Sequence, residues 1–157
     1  VVSKNTPTAA RARLDAIDRR ILDVLAADGR ASVVEVADAV GLSASPTLRR
    51  IRRLEETGVI TGYRAVVDPA ALGRNLTVFM AVKLTAHDEP SVRSFEEALE
   101  RIPEIVSAHH VTGDVDYLLR VELEDLAALD RLSRQRLTSI PGLGFVTTYV
   151  STSALKD

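Results

Sequence analysis

The chain has 157 residues, 46% of them apolar, which suffices for a substantial core in one large or two small domains. It has no cysteine, which removes disulfides, thiolate metal sites and cysteine nucleophiles together. No apolar run approaches the roughly 20 residues needed to cross a bilayer, and VVSKNTPTAARAR lacks a signal peptide's apolar region, so a soluble, cytoplasmic protein is expected.

The net charge of −2 conceals an asymmetry. Residues 1–64 carry 11 Lys and Arg against 8 Asp and Glu, whereas residues 65–157 carry 9 against 14, so a surface for phosphates belongs to the first part. Residues 1–13 are small, polar and basic without periodicity and read as a flexible arm. Leu14, Ile17, Ile21, Leu22 and Leu25 then mark an amphipathic helix that Asp28-Gly29 ends. Ser32 and Glu35 form a capping-box pattern that starts a short helix through Val33, Val36, Ala37 and Val40, stopping at Gly41.

The next stretch, SASPTLRRIRRLEETG, spans Ser43 to Gly58. Ser43 or Ser45 can cap a helix here, Pro46 fits the first turn, and Gly58 suits the position after the C-cap. Leu48, Ile51 and Leu54 are expected to face inward, leaving Ser45, Thr47, Arg49, Arg50, Arg52 and Arg53 on or beside the opposite face. Arginine forks and hydroxyls on one helix suit the DNA major groove, and Ser45, Thr47, Arg49, Arg50 and Arg53 are the leading contact candidates. The competing reading is a solvated basic helix balanced by Glu55 and Glu56. Two helices joined by a tight Gly-containing turn are the pattern of a helix-turn-helix. After Gly58, VITGYRAVVD is expected to form a small hairpin or wing, with Arg64 reaching a phosphate and the Tyr63 ring packed.

The turn-rich DPAALGRN reads as a linker over residues 68–75, and beyond it the period changes to two. Leu76, Val78, Met80, Val82 and Leu84 alternate with Thr77, Phe79, Ala81 and Lys83 as a strand with one strongly apolar face. A helix beginning near Ser91 carries Val92, Phe95, Leu99 and Ile102 on one side and ends at Pro103. Strands follow at about 105–111 and 117–123, separated by Thr112 to Asp116. A helix over about 125–137 buries Leu126, Leu129 and Leu132 or Ser133, and Pro141 to Gly144 turns into the strand FVTTYV.

The order βαββαβ closes as a four-stranded antiparallel sheet with both helices on one face, an α+β, ferredoxin-like arrangement. The other face, with Phe79, Val106 or Tyr149, is expected to be covered by a second copy. A two-fold dimer would present two arginine helices to successive major grooves, about 34–36 Å apart. The expected organisation is an arm (1–13), a winged helix-turn-helix (14–67), a linker (68–75) and a βαββαβ domain that pairs with a second copy (76–157). The same βαββαβ order occurs in RNA-recognition domains, but a −5 charge and DYLLRVEL do not match their aromatic, basic strands. His109 and His110 are adjacent and point to opposite strand faces, so no metal is expected, and no nucleophile elbow, P-loop or H-E-x-x-H occurs.

The runs LDAIDRRILDVLAADGR, VADAVGLSASPTLRRIRRLEETGVITGYRAVVDPAALG, and HHVTGDVDYLLRVE with LTSIPGLGFVTTYV resemble the Lrp/AsnC (leucine-responsive/asparagine, feast/famine) family of prokaryotic transcription regulators. The resemblance implies a winged helix-turn-helix joined to a ligand-sensing ferredoxin-like domain, which dimerises and commonly assembles into tetramers or octamers. It implies an effector, usually a free amino acid, held between sensing domains of neighbouring dimers, and no cofactor or catalytic residue. Val111, Thr112, Gly113, Asp114, Asp116 and Tyr117 carry over to the effector site, with Ser139 in the opposite turn, Thr138 to Gly142. Carboxylates there suit an ammonium group and backbone N–H groups suit a carboxylate. The alternative is a turn whose aspartates satisfy local N–H groups. Sirohaem decarboxylases of similar architecture supply an enzymatic alternative, against which the arginine-rich helix argues for a regulator.

Overall fold

The computed structural model describes residues 13–155, so the expected arm lies, but for Arg13, outside the described residues. The chain divides into two compact units between Val66 and Val67.

The first unit holds three helices, α1 (Ala16–Ala27), α2 (Val33–Val40) and α3 (Ala44–Glu56). Both α1 and α2 begin in complete capping boxes, Asp15 with Asp18 and Ser32 with Glu35, which satisfy N–H groups that a helix start would otherwise leave without partners. At the turn after α2, Gly41 takes a left-handed backbone (φ 74°), which any side chain would strain. The core is Ile21, Val36, Val40, Ile51 and Leu54. After α3, the Gly58 N–H donates to the Glu55 carbonyl and the Val59 N–H to the Leu54 carbonyl, both at 2.9 Å, closing the helix in a Schellman motif.

Three expectations change here. The N-cap of α3 is Ser43, but no serine side chain caps it. Its buried stripe is Thr47, Ile51 and Leu54: Ile51 and Leu54 face inward as expected, while Thr47 takes the place of Leu48, which is only half-buried. Residues 61–68 pair with no strand, so the hairpin does not form; Tyr63 is exposed and its hydroxyl donates to Glu55 at 2.9 Å.

In the second unit a single helical turn at Pro69–Leu72 precedes β1 (Leu76–Leu84), α4 (Glu89–Glu100), β2 (Ile105–His110), β3 (Tyr117–Leu123), α5 (Leu126–Gln135) and β4 (Leu143–Val150). The strands lie in the order β2-β3-β1-β4, all antiparallel, as the βαββαβ reading requires. Asp88 and Asp125 cap α4 and α5 through the Ser91 and Ala128 N–H groups. The even residues of β1 and the odd residues of β3 join Phe95, Leu99, Ile102 and Leu132 in one core. Leu126, expected inside, is exposed at the first position of α5. On the other sheet face, the register sets Phe79 opposite Tyr149 and Lys83 opposite Phe145, and Phe79, Leu118, Phe145 and Tyr149 are all exposed.

Among the described residues no helix is long and apolar enough to cross a membrane.

Candidate DNA-reading helix and effector loop

The period of α3 sorts its polar residues into two stripes. Ser45, Arg49 and Arg52, spaced by four and three, are all exposed and form no hydrogen bond or ion pair among the described residues. Arg50 and Arg53 lie one position further round and turn to α1. Arg50 donates to Asp15 at 2.7 Å and to Asp18 at 2.8 Å, and Arg53 donates to the other oxygen of Asp18. The Asp18 side chain is wholly buried. The Asp15 carboxyl is held below its usual range, first by the Asp18 N–H and then by Arg50, while Asp15 and then Asp18 push the Arg50 guanidinium further into its charged form.

Three of the expected contacts are thereby revised. Thr47 is buried, and its hydroxyl donates to the Ser43 carbonyl at 2.9 Å, so it faces the core rather than a groove. Arg50 and Arg53 are engaged by carboxylates within their own unit. Arg52, absent from the leading candidates, shares the exposed stripe with Ser45 and Arg49; the four-three spacing in the sequence was the signal for it. Arg64 is exposed in the extended segment after α3.

In the second unit, the end of β1 gathers the expected effector loop and the opposite turn. Leu84 N–H donates to Asp116 Oδ2 at 2.7 Å, and Thr85 N–H donates to the Gly142 carbonyl at 2.9 Å. The loop is further tied by Asp116 N–H to the Val82 carbonyl and Val111 N–H to the Asp116 carbonyl, both 2.9 Å, and by Lys83 Nζ to the Asp114 carbonyl at 3.0 Å. His87 Nε2 lies 3.0 Å from Asp116 Oδ1. The Leu84 N–H, and after it His87 and Lys83, holds the Asp116 carboxyl below its usual range.

Asp116 is thus a brace for the loop, with both oxygens engaged inside the unit. Tyr117 departs from expectation more sharply. Its side chain points among the helices, 3% exposed, with its ring 5.0 Å from Phe95 and stacked on His110, and its hydroxyl donates to Glu96 at 2.7 Å. Burial, and then the neighbouring Glu96, pushes that hydroxyl's pKa well above its usual value. What stays open at the loop is the exposed Thr112, Gly113 and Asp114, with N–H groups from Thr112 to Val115 that donate to no group among the described residues. Ser139 is exposed on the facing turn, its hydroxyl donating to the Arg136 carbonyl.

The chain matches two family models, "Winged helix-turn-helix DNA-binding" over residues 14–61 and "Lrp/AsnC ligand binding domain" over residues 77–157. It is 41% identical over 144 residues to the leucine-responsive regulatory protein of Escherichia coli K12, covering 92% of this chain and 88% of that one. The same identity and coverage hold for the protein of that name from Klebsiella pneumoniae. Among solved structures it is similar to a transcriptional regulator from Neisseria meningitidis in complex with L-Met, at 30% identity and a TM-score of 0.88 over 92% of this chain and 94% of that one. An AsnC family transcriptional regulator from Agrobacterium tumefaciens is 35% identical with a TM-score of 0.87 over the same shares.

Proposed function

Because the chain belongs to the Lrp/AsnC family and is a DNA-binding transcription regulator, we propose that Ser45, Arg49 and Arg52 of α3 read the duplex, and that a free amino acid bound at the 111–116 loop modulates assembly or DNA affinity. The observation that carries the first part is the exposed stripe, whose guanidiniums and hydroxyl have no partner within their unit while the flanking arginines do. Arg64 is the added phosphate contact.

The second part is supported by the loop's chemistry. Backbone N–H groups of residues 112–115 suit a carboxylate and the exposed Asp114 suits an ammonium, and a relative has been solved with L-Met. Val111 and Asp116 hold the loop rather than the ligand, and Ser139 bounds it from the facing turn. The open sheet face, with Phe79, Leu118, Phe145 and Tyr149, is where a second copy packs. A ligand shared between copies shifts assembly only by binding one arrangement better than another.

The test is binding of the full chain to duplex DNA from upstream of its own gene, against scrambled DNA, across a salt series, with and without an amino-acid pool. A specific, salt-sensitive complex that the pool shifts is expected. No preference at any salt would overturn the DNA reading, and indifference to the pool would overturn the effector. Arg49→Ala should lose about 1–3 kcal/mol of specific binding.

A further inference from the structure

We propose that Asp18 is the positioning residue of the DNA-reading helix, a buried carboxylate on α1 that fixes the rotation of α3 by holding Arg50 and Arg53 away from the duplex. The inference rests on the reading that α3 enters the groove.

A carboxylate taken wholly out of water must be paired, and Asp18 is paired on both oxygens. Oδ1 accepts from Arg50 at 2.8 Å; Oδ2 accepts from Arg53 and from the Asp15 N–H at 3.1 Å. Both arginines belong to one helix and lie three residues apart, so they grip the carboxylate from successive turns. Two contacts, one turn apart on the same stripe, add to the buried Thr47, Ile51 and Leu54 in holding α3 against rolling.

The consequence falls on the neighbouring positions. Successive residues sit about 100° apart around a helix. With Arg50 and Arg53 turned to α1, Arg49 and Arg52 are carried round to the exposed side. Asp18 is also the N3 residue of the α1 capping box, so the same carboxylate closes the start of α1 and aims α3. Two of the guanidiniums on α3 therefore serve placement, and the reading surface carries two fewer positive charges than its sequence suggests.

The experiment uses the full chain and a duplex enriched by the wild type from a randomised pool, with a scrambled duplex as control. Affinities are measured over a salt series, and helix content is checked by far-UV circular dichroism. Arg64→Ala, at the phosphate contact, should flatten the salt dependence by about one counterion unit. Asp18→Asn and Arg53→Ala should leave the slope unflattened while lowering preference for the enriched duplex, Asp18→Asn by about tenfold, the scale of one mismatched base pair. Arg53→Lys, which keeps the charge at Asp18, should restore most of that preference.

Flattening by Arg50→Ala or Arg53→Ala equal to that of Arg64→Ala would show direct phosphate contacts and overturn the proposal. So would unchanged preference in a folded Asp18→Asn. Should Asp18→Asn fail to fold, Arg53→Ala decides, since Arg50 still pairs Asp18 in that variant. A wild type that enriches no duplex would sink the regulator reading, and this proposal with it.

Discussion

Removing the arginines one at a time and together separates the buried charge from its partners. Their side chains are 27% and 46% exposed, whereas that of Asp18 is 0% exposed, so the carboxylate depends on them more than they on it. In Arg50→Ala or Arg53→Ala alone the remaining guanidinium still neutralises Asp18, and each change should cost about 1 kcal/mol, a charged hydrogen bond discounted for solvent exposure. In the double variant the carboxylate is stranded without a counter-ion, which costs about 3–5 kcal/mol. The excess over additivity, about 1–3 kcal/mol, is the coupling through Asp18. Native-state hydrogen exchange by mass spectrometry, read on peptides from α1 and α3 and corrected for intrinsic rates, measures this without assuming that the two units unfold together. Additive losses would refute the reasoning.

Three further outcomes follow from the second unit. Phe95→Ala empties a fully buried site beside Tyr117 and should cost about 3–5 kcal/mol in denaturant unfolding followed by the near-ultraviolet tyrosine signal; less than about 2 would mean the site collapses around the gap. Gly144→Ala would place a Cβ 2.9 Å from the Lys83 carbonyl oxygen and 3.1 Å from Thr85 Cγ2, where backbone cannot yield easily. About 1–3 kcal/mol of local protection should vanish from β4 in hydrogen exchange, and retained protection would show that the strands part without strain. The Asp116 carboxyl, held low by the Leu84 N–H and then by His87, contributes stability that is present above the unfolded carboxyl value and lost as pH falls through the depressed folded one. The Leu84 amide resonance in the full chain should titrate in that acid window and cease to do so in Asp116→Asn; an amide blind to pH would break the link.

Local chemistry explains what the sequence made legible. Ser32 and Glu35 form a cap within three residues, and the alternation of Leu76 to Leu84 marks a half-buried strand wherever it stands. The order of two helices and four strands then leaves few ways to close a sheet. The candidate sites were harder, because they depend on which face a residue ends on and what meets it there. Asp18 binds arginines 32 and 35 positions away, a pairing invisible to helical periodicity. Thr47 displaced Leu48 because its hydroxyl satisfies itself on the Ser43 carbonyl, so a polar residue could take the buried stripe. Tyr117 was legible in part: it shares the parity of Leu119, Val121 and Leu123, all core residues, and the motif around it outweighed that signal. The hairpin rests on β-branched and aromatic residues around Thr61-Gly62, and those cannot by themselves supply a partner strand.

The strand order also sets a timetable for folding. β1 is paired on one side with β3, beginning at Tyr117, and on the other with β4, which ends at Val150. During synthesis the apolar strand Leu76–Leu84 therefore emerges long before either neighbour, and the sheet cannot close until Leu143–Val150 has been made. The three helices of the first unit complete their core by Ile60 and have no such wait. Once β3 has emerged and until Leu143–Val150 follow, β1 stays open along one edge, a row of unpaired backbone groups that invites aggregation.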